Sequence, residues 1–228
     1  MFVLRRDDAA PEAAVRRARR AIDRLGKAYL GESYFTTFWL PHEALEGPRG
    51  PDPRSRHPVE ELVALLWKIA KPPPGCAGAE WWIGRAYTNA LPIGFHFDQD
   101  VKGGLRGLQN PLLSSVFFFN RVRGGQLALT DQLPGRGGVL RPKRPGALSV
   151  AVPRRNRYVV FRGDRFHGVL DSEGRSPGPA SRTPAGRLRV TLVVNFWRRR
   201  PTAVPLFTGS FRRTPGRRRR GHRHELRA

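Results

Sequence analysis

Residues 94–104 read GFHFDQDVKGG, a histidine and two acids at every second position, with aromatics between them and glycines after. In a strand, residues two apart share a face. His96 and Asp98 then present an imidazole and a carboxylate side by side, while Phe97 points into the opposite layer. Such a pair is a two-toothed clamp for a metal ion. A mononuclear site with open positions needs one more ligand, and two histidines with one carboxylate are the donor set of non-haem ferrous oxygenases. The third ligand is therefore sought as a histidine on a neighbouring strand. Asp100 offers a second carboxylate, but using it in place of Asp98 changes the bite of the clamp. Asp98 is taken as the ligand and Asp100 is left a supporting or solvent-facing role.

Of the other five histidines, His42 and His57 lie where the pattern is helical, and His222 and His224 lie in a polar tail. His167 stands apart. It follows a Gly-Asp turn in VVFRGDRFHGVL, between two apolar strand patterns, 71 residues after His96. An H-x-D triplet recurs by chance and a single buried histidine is commonly a satisfied core group; the combination carries the weight. A fourth element is RLRVTLVVNFW, where an arginine opens a strongly β-forming run. The Arg189 guanidinium is always charged and grips a carboxylate by two parallel hydrogen bonds. Thr191 shares its face and adds a hydroxyl. An arginine inside an apolar barrel needs an anion to offset its desolvation, which a dicarboxylate cosubstrate supplies.

The surrounding pattern is consistent with a β fold. Val15, Ala18, Ile22, Leu25 and Tyr29 recur at helical spacing, with Gly31 as a stop, and Pro58 opens a second helix through Val59, Leu62, Val63, Leu66 and Ile69. The piece ESYFTTFWLP between them reads as extended. After Gly75 the apolar runs become short, β-branched or aromatic, and are separated by turn residues. Candidate strands are EWWIGRAYT, the stretch around IGFHFD, LSSVFFFN, QLALT, ALSVAV, RYVVF, FHGVL and RLRVTLVVNFW. Such a series predicts an antiparallel sandwich, jelly roll or barrel.

Taken together, His96-Phe-Asp98, His167 after its turn and Arg189-Val-Thr191 on the last core strand resemble the Fe(II)/2-oxoglutarate-dependent dioxygenases, most of all their prolyl-hydroxylase-like branch. The resemblance covers residues 80–200 and includes LSSVFFFNRVRGGQLAL, similar to the paired strands and Gly-Gly turn that follow the H-x-D loop. It implies a mainly β chain with flanking helices, a double-stranded β-helix of the jelly-roll, cupin-like kind. It implies Fe(II) on His96, Asp98 and His167, and 2-oxoglutarate on Arg189 with Thr191 and Tyr87, with ascorbate as a reductant. The activity implied is hydroxylation of a C–H bond, of a peptide or amino-acid side chain by analogy, with succinate and carbon dioxide as co-products. His167 and Arg189 stand 22 positions apart, more than is common in the family. The Gly/Pro/Ser-rich loop 172–186 accounts for the excess at small entropic cost. Arg187, on the same face as Arg189, is the alternative anchor if the register shifts by two.

The organisation expected is residues 1–75 as a helical layer packed on the barrel, 76–200 as the dioxygenase core and 201–228 as a basic tail. The loops 102–110 and 171–186 are expected to shape the substrate pocket. The chain has 228 residues, 42 basic against 18 acidic, a net charge of +24. Such a field attracts nucleic acid or another polyanion. Only five of the basic residues are lysines, and the arginines are spread through every segment; from Arg198 onward there are eleven arginines and one glutamate. A nucleic-acid oxidative demethylase is thus an alternative, with Trp81, Trp82 and Phe95 available to stack on a base. Those enzymes commonly place a second arginine six positions after the first, where this chain has Asn195. A non-catalytic cupin-like or basic nucleic-acid-binding protein has the same architecture but no need of Arg189 beside a metal triad. Cys76 is the only cysteine, so no internal disulfide forms. The first twenty residues read as neither a secretory signal nor a membrane span, and Asp7, Asp8 and Glu12 argue against a transit peptide. The expectation is a soluble, intracellular, cytoplasmic protein whose prime substrate is not written in the sequence.

Overall fold

The run LRVTLVVNFW forms a ten-residue strand, β11 (Leu188–Trp197), at the centre of the molecule. Its β-branched and aromatic side chains fill both faces of a pleated surface. In the computed structural model, which describes residues 3–25, 36–46, 57–91, 94–100, 109–176 and 186–209, this strand pairs antiparallel with β3 (Gly78–Tyr87) on one side and β4 (Leu113–Phe118) on the other. β9 (Arg157–Arg162) and β1 (Val3–Arg6) continue the sheet beyond β4, and β2 (Phe38–Pro41) closes the other edge, in the order β1-β9-β4-β11-β3-β2.

Parity along these strands separates two environments. Val190, Leu192, Val194 and Phe196 of β11 join Trp81 and Ile83 of β3, Phe117 of β4 and Tyr158 and Val160 of β9 in the larger core. Two helices cover it. α1 (Glu12–Asp23) buries Ala14, Val15, Ala18, Ala21 and Ile22, a stripe at helical spacing, and turns its arginines outward. α3 (Pro58–Ala70) buries Val59, Leu62, Val63, Leu66, Trp67 and Ala70. Pro58 fills its first position, His57 Nδ1 accepts from the Val59 amide at 3.3 Å, and Lys71 ends it in the left-handed region. A short α2 (His42–Glu46) precedes it. Each large side chain buried here contributes roughly 1.5–3 kcal/mol. Asn156, at φ 58°, ties the segment before α1 to the sheet: its amide bonds both the NH and the carbonyl of Ala10.

The opposite face of the large sheet looks toward a second sheet of β10 (His167–Leu170), β5 (Gln126–Thr130) and β8 (Leu148–Ala151), in that order. Val116, Phe118, Leu127, Leu129, Ala151, Val159 and Phe161 form the core between them. A small hairpin of β6 (Leu133–Pro134) and β7 (Leu140–Arg141) projects between β5 and β8. His96 joins the second sheet by a single antiparallel bridge to His167. The fold is a double-stranded β-helix, mainly β with flanking helices.

Several expectations need adjustment. The β part does not begin at Gly75: β1 and β2, from the segment read as a helical layer, are the two edges of the large sheet. Of the stretch around IGFHFD, the described residues GFHFD form no strand, only that one bridge. Tyr29, Gly31, positions 101–108 and 177–185 of the expected pocket loops, and the tail from 210, with His222 and His224, lie outside the described residues. Among the described residues no helix is long and apolar enough to cross a membrane.

Candidate active site

The backbone of His96 and His167 exchanges two hydrogen bonds, His96 N to His167 O at 2.8 Å and His167 N to His96 O at 3.0 Å. This pairing fixes the two imidazoles beside each other, 4.5 Å between ring centroids. His96 Nδ1 lies 2.9 Å from the Gly94 carbonyl oxygen and His167 Nδ1 lies 2.9 Å from that of Arg165. A carbonyl only accepts, so each Nδ1 carries a hydrogen, and Nε2 is the nitrogen whose lone pair is available when the ring is neutral. Both Nε2 atoms point at Asp98, at 3.5 Å from Oδ1 and from Oδ2. The three ligand atoms all lie within 4.8 Å of one another. Donors sharing one ion at about 2.0–2.2 Å each stand roughly 3 Å apart at right angles, close to the 3.5 Å separations here. Carbonyl partners behind metal-binding imidazoles are the usual way of fixing their tautomer. The donor set, two imidazoles and one carboxylate, suits ferrous iron.

The carboxylate is held from the other side by Ser114, whose Oγ donates to Asp98 Oδ2 at 2.7 Å. Burial alone would raise the Asp98 pKa, but the charge of His167, the hydrogen bond and charge of His96, and Ser114 outweigh it and hold the carboxyl far below its usual range. Burial pulls His167 down, with Asp98 opposing. For the more open His96 burial also pulls down, but Asp98 and the Gly94 carbonyl raise it above the ordinary imidazole value. Asp98 is the acid of the cluster. Asp100 accepts instead from the amide and hydroxyl of Thr202, both at 3.0 Å, and pins the chain after β11.

A cavity opens from the triad between the two sheets, walled by Trp82, Val116, Leu127 and Val193, with Arg189 also on its lining. Arg189 is 2% exposed. Its Nε donates to the Gly125 carbonyl at 2.8 Å, an Nη reaches Thr191 Oγ1 at 3.3 Å, and the guanidinium carbon sits 5.2 Å from the Phe118 ring centroid. Gly125 makes this possible. At φ +71° it has a backbone that side chains avoid, and a Cβ there would stand 2.5 Å from Arg189 Cδ. Arg187, the alternative anchor, is exposed before β11 begins, so Arg189 is the cation that faces the cavity.

Tyr87 requires a correction. Arg189 is opposite Ala86, Thr191 opposite Gly84 and Val193 opposite Trp82, which makes the even positions of β3 the cavity face. Tyr87, opposite Leu188, falls on the helix-facing side with Arg85, Ile83 and Trp81. Trp81 is likewise core, while Trp82 faces the cavity; Phe95 and Phe97 flank Phe166 beside the triad, 5.5 and 5.0 Å between centroids.

Sequence reasoning missed Ser114 and Glu80. Glu80 is 9% exposed on the inner face of β3, and its Oε2 accepts from Trp197 Nε1 at 3.0 Å. Burial first, then the charges of Asp98 and Asp100, push it up to about 7. An acid amid GAEWW was the signal available. A carboxyl whose folded pKa is raised costs nothing below its unfolded value, and costs progressively more as pH climbs to the folded one. Glu80→Gln is therefore expected to match wild type in stability near pH 4.5 and to exceed it at pH 8 by at most roughly 3 kcal/mol, from 1.36 kcal/mol per pKa unit. Urea unfolding at the two pH values checks this; equal stabilities at pH 8 would mean that Glu80 ionises without penalty.

No protein-family model and no curated protein matches the sequence. Solved structures do. A prolyl hydroxylase from Trichoplax adhaerens, determined with a hypoxia inducible factor oxygen degradation domain peptide fragment, is 12% identical, covers 86% of this chain and 83% of its own, and has a TM-score of 0.50. AviO1 from Streptomyces viridochromogenes Tue57 is 17% identical over 89% of this chain and 91% of its own, also at 0.50. A Pseudomonas putida prolyl-4-hydroxylase is 21% identical over 86% and 88%, at 0.48. The likeness is one of fold: the chain has a prolyl-hydroxylase-like fold.

Proposed function

We propose that the protein is an Fe(II)- and 2-oxoglutarate-dependent dioxygenase that hydroxylates a C–H bond of a peptide or amino-acid side chain, with succinate and carbon dioxide as co-products. The observation that carries this reading is the placing, on one cavity, of the His96, Asp98 and His167 cluster together with the buried Arg189. His96, Asp98 and His167 would hold Fe(II), which when bound supplies the redox chemistry between dioxygen, the keto acid and the C–H bond. The chain's own part is positioning. Arg189, steadied by Gly125 and Phe118, offers its positive charge to the far carboxylate of the cosubstrate, with Thr191 beside it. Trp82, Val116, Leu127 and Val193 keep water from the space between the two ends. Ser114 keeps Asp98 oriented.

A peptide substrate is favoured over a base by the fold neighbour solved with a peptide fragment, and by Asn195. That residue stands where a demethylase commonly has its second arginine, and it is 1% exposed inside the sheet. The test is uncoupled turnover. Purified protein supplied with Fe(II), ascorbate and 2-oxoglutarate is expected to convert the keto acid slowly to succinate in equal amounts without any substrate, and to stop when a chelator is added. Absence of succinate from the iron-loaded protein would overturn the reading.

A further inference from the structure

We propose that the turn from Arg141 to Gly146, between β7 and β8, is a docking surface for an acidic peptide segment, whether or not the chain turns over 2-oxoglutarate. From Gln132 to Gly163 the sequence has eight basic residues and no acid. Four of the eight, Arg154, Arg155, Arg157 and Arg162, are ion-paired to Asp7, Glu12 and Asp164. Arg141, Lys143 and Arg144 are exposed and, among the described residues, pair with no acid. Three cations this close repel one another, and an anion brought to them relieves the repulsion.

The turn is held in place from beneath. Gln132, 3% exposed, donates from Nε2 to the carbonyls of Pro142 at 2.9 Å and Lys143 at 3.2 Å. Asp131, the acid at the base of the turn, accepts the Gly146 amide at Oδ1, 3.1 Å away. The Arg141 stem lies on Gly135, where a Cβ would stand 3.0 Å from Arg141 Cγ. A backbone fixed beforehand loses less entropy when a partner arrives. The same base is tied to the strand of the metal cluster: the Gln132 carbonyl accepts from the amide of Phe166, one residue before His167, at 3.1 Å, and the Asp131 carbonyl accepts from Arg165 Nη1 at 2.8 Å. The three cations therefore stand at the end of the barrel that carries His167.

The chemistry of this surface selects its occupant. A second copy of a chain with a net charge of +24 is repelled. A strand added along the free edge of β8 is opposed, because Arg5 Nη2 already takes the Val150 carbonyl at 2.7 Å and Arg157 Nη1 that of Val152 at 3.0 Å. Single-stranded nucleic acid is bound with the help of aromatic side chains on which bases stack, and the chain has no aromatic residue from Gly124 through Arg157. The exposed apolar neighbours are aliphatic, Val139 at 57% and Leu148 at 61%. Guanidinium forks match carboxylates, and the aliphatic pair offers contact to the stems that carry them.

Zero-length coupling on the full chain tests this. The chain has five lysines and none after Lys143, so a carbodiimide that joins carboxylates to amines reports on the turn without interference from the arginines of the tail. With fluorescent oligoglutamate at physiological salt, and modified lysines located by peptide mass spectrometry, Lys143 is expected to couple about 2–30-fold faster than the exposed Lys68 and Lys71, the effect of two neighbouring surface ion pairs. Arg141→Gln with Arg144→Gln should remove that advantage. Arg16→Gln with Arg20→Gln, which takes the same charge from the exposed face of α1, should leave it intact. Coupling at Lys143 no faster than at Lys68 and Lys71, or an equal loss in both double variants, would overturn the docking surface and leave only a general field. Competing oligothymidylate of equal charge that stops the coupling as well as unlabelled oligoglutamate does would overturn the peptide assignment in favour of nucleic acid.

Discussion

Replacing His167 by alanine is expected to abolish tight metal binding and 2-oxoglutarate turnover together. The ring is the most fixed of the three ligands: its backbone is held by β10 pairing with Leu129 and by the bridge to His96, its Nδ1 by the Arg165 carbonyl, and its face by the Phe161 ring at 4.9 Å. Without it, His96 and Asp98 remain as a two-point clamp. Four-ligand protein sites bind their metal with about 10–16 kcal/mol, so one ligand carries on the order of 2.5–4 kcal/mol, or about two to three powers of ten in affinity. Part of the loss should be recoverable by added imidazole, because the vacated volume beside Phe161 admits the same ring. Co(II) titration and succinate release measure the two effects on the same preparation. Unchanged metal affinity would place the centre elsewhere; lost turnover with intact metal binding would give His167 a role other than ligand.

What the sequence disclosed about this centre, and what it hid, follows from strand geometry. The H-x-D spacing was readable because two-residue periodicity needs no knowledge of partners. His167 was readable because a histidine between apolar strands is chemically distinct from its surroundings. The face of β3 on which Tyr87 stands was not readable because the strand is buried on both faces, by helices on one side and by the cavity on the other; Trp81 and Trp82 are both apolar, and the alternation that reveals an inner face vanishes. Only the pairing of Arg189 with Ala86 settles the parity. The same reason hid Ser114 and Glu80, 34 positions apart in the chain, which meet the surroundings of Asp98 only in the fold. β1 escaped because VLRR is four residues long and half exposed, an edge strand that carries little hydrophobic pattern. IGFHFD was over-read. Its alternation reflects inward-facing ligands, while the His96 imidazole reaches back to the Gly94 carbonyl in a backbone that makes one bridge only.

Arg189→Met is expected to leave the metal centre loaded and to raise the 2-oxoglutarate concentration needed for half-maximal turnover by about thirty-fold to several-thousand-fold, since breaking a buried hydrogen-bonded charge pair costs roughly 2–5 kcal/mol. The argument is the environment of the guanidinium. At 2% exposure among Phe118, Gly125 and Thr191, it cannot be replaced by solvent, and a carboxylate brought there without it is left buried and uncompensated. Methionine fills the stem's volume and keeps contact with Gly125, so the barrel should not collapse. Arg189→Lys should fall between, because an ammonium supplies charge but neither the fork nor the planar stack on Phe118. Arg187→Met, on the exposed approach to β11, is the control and should leave cosubstrate affinity near wild type. Steady-state succinate release across a 2-oxoglutarate series, with Co(II) affinity measured in parallel, separates the outcomes. If Arg187→Met rather than Arg189→Met raised the requirement, the anchor would lie outside the cavity and the cosubstrate assignment would fail, although the triad would stand.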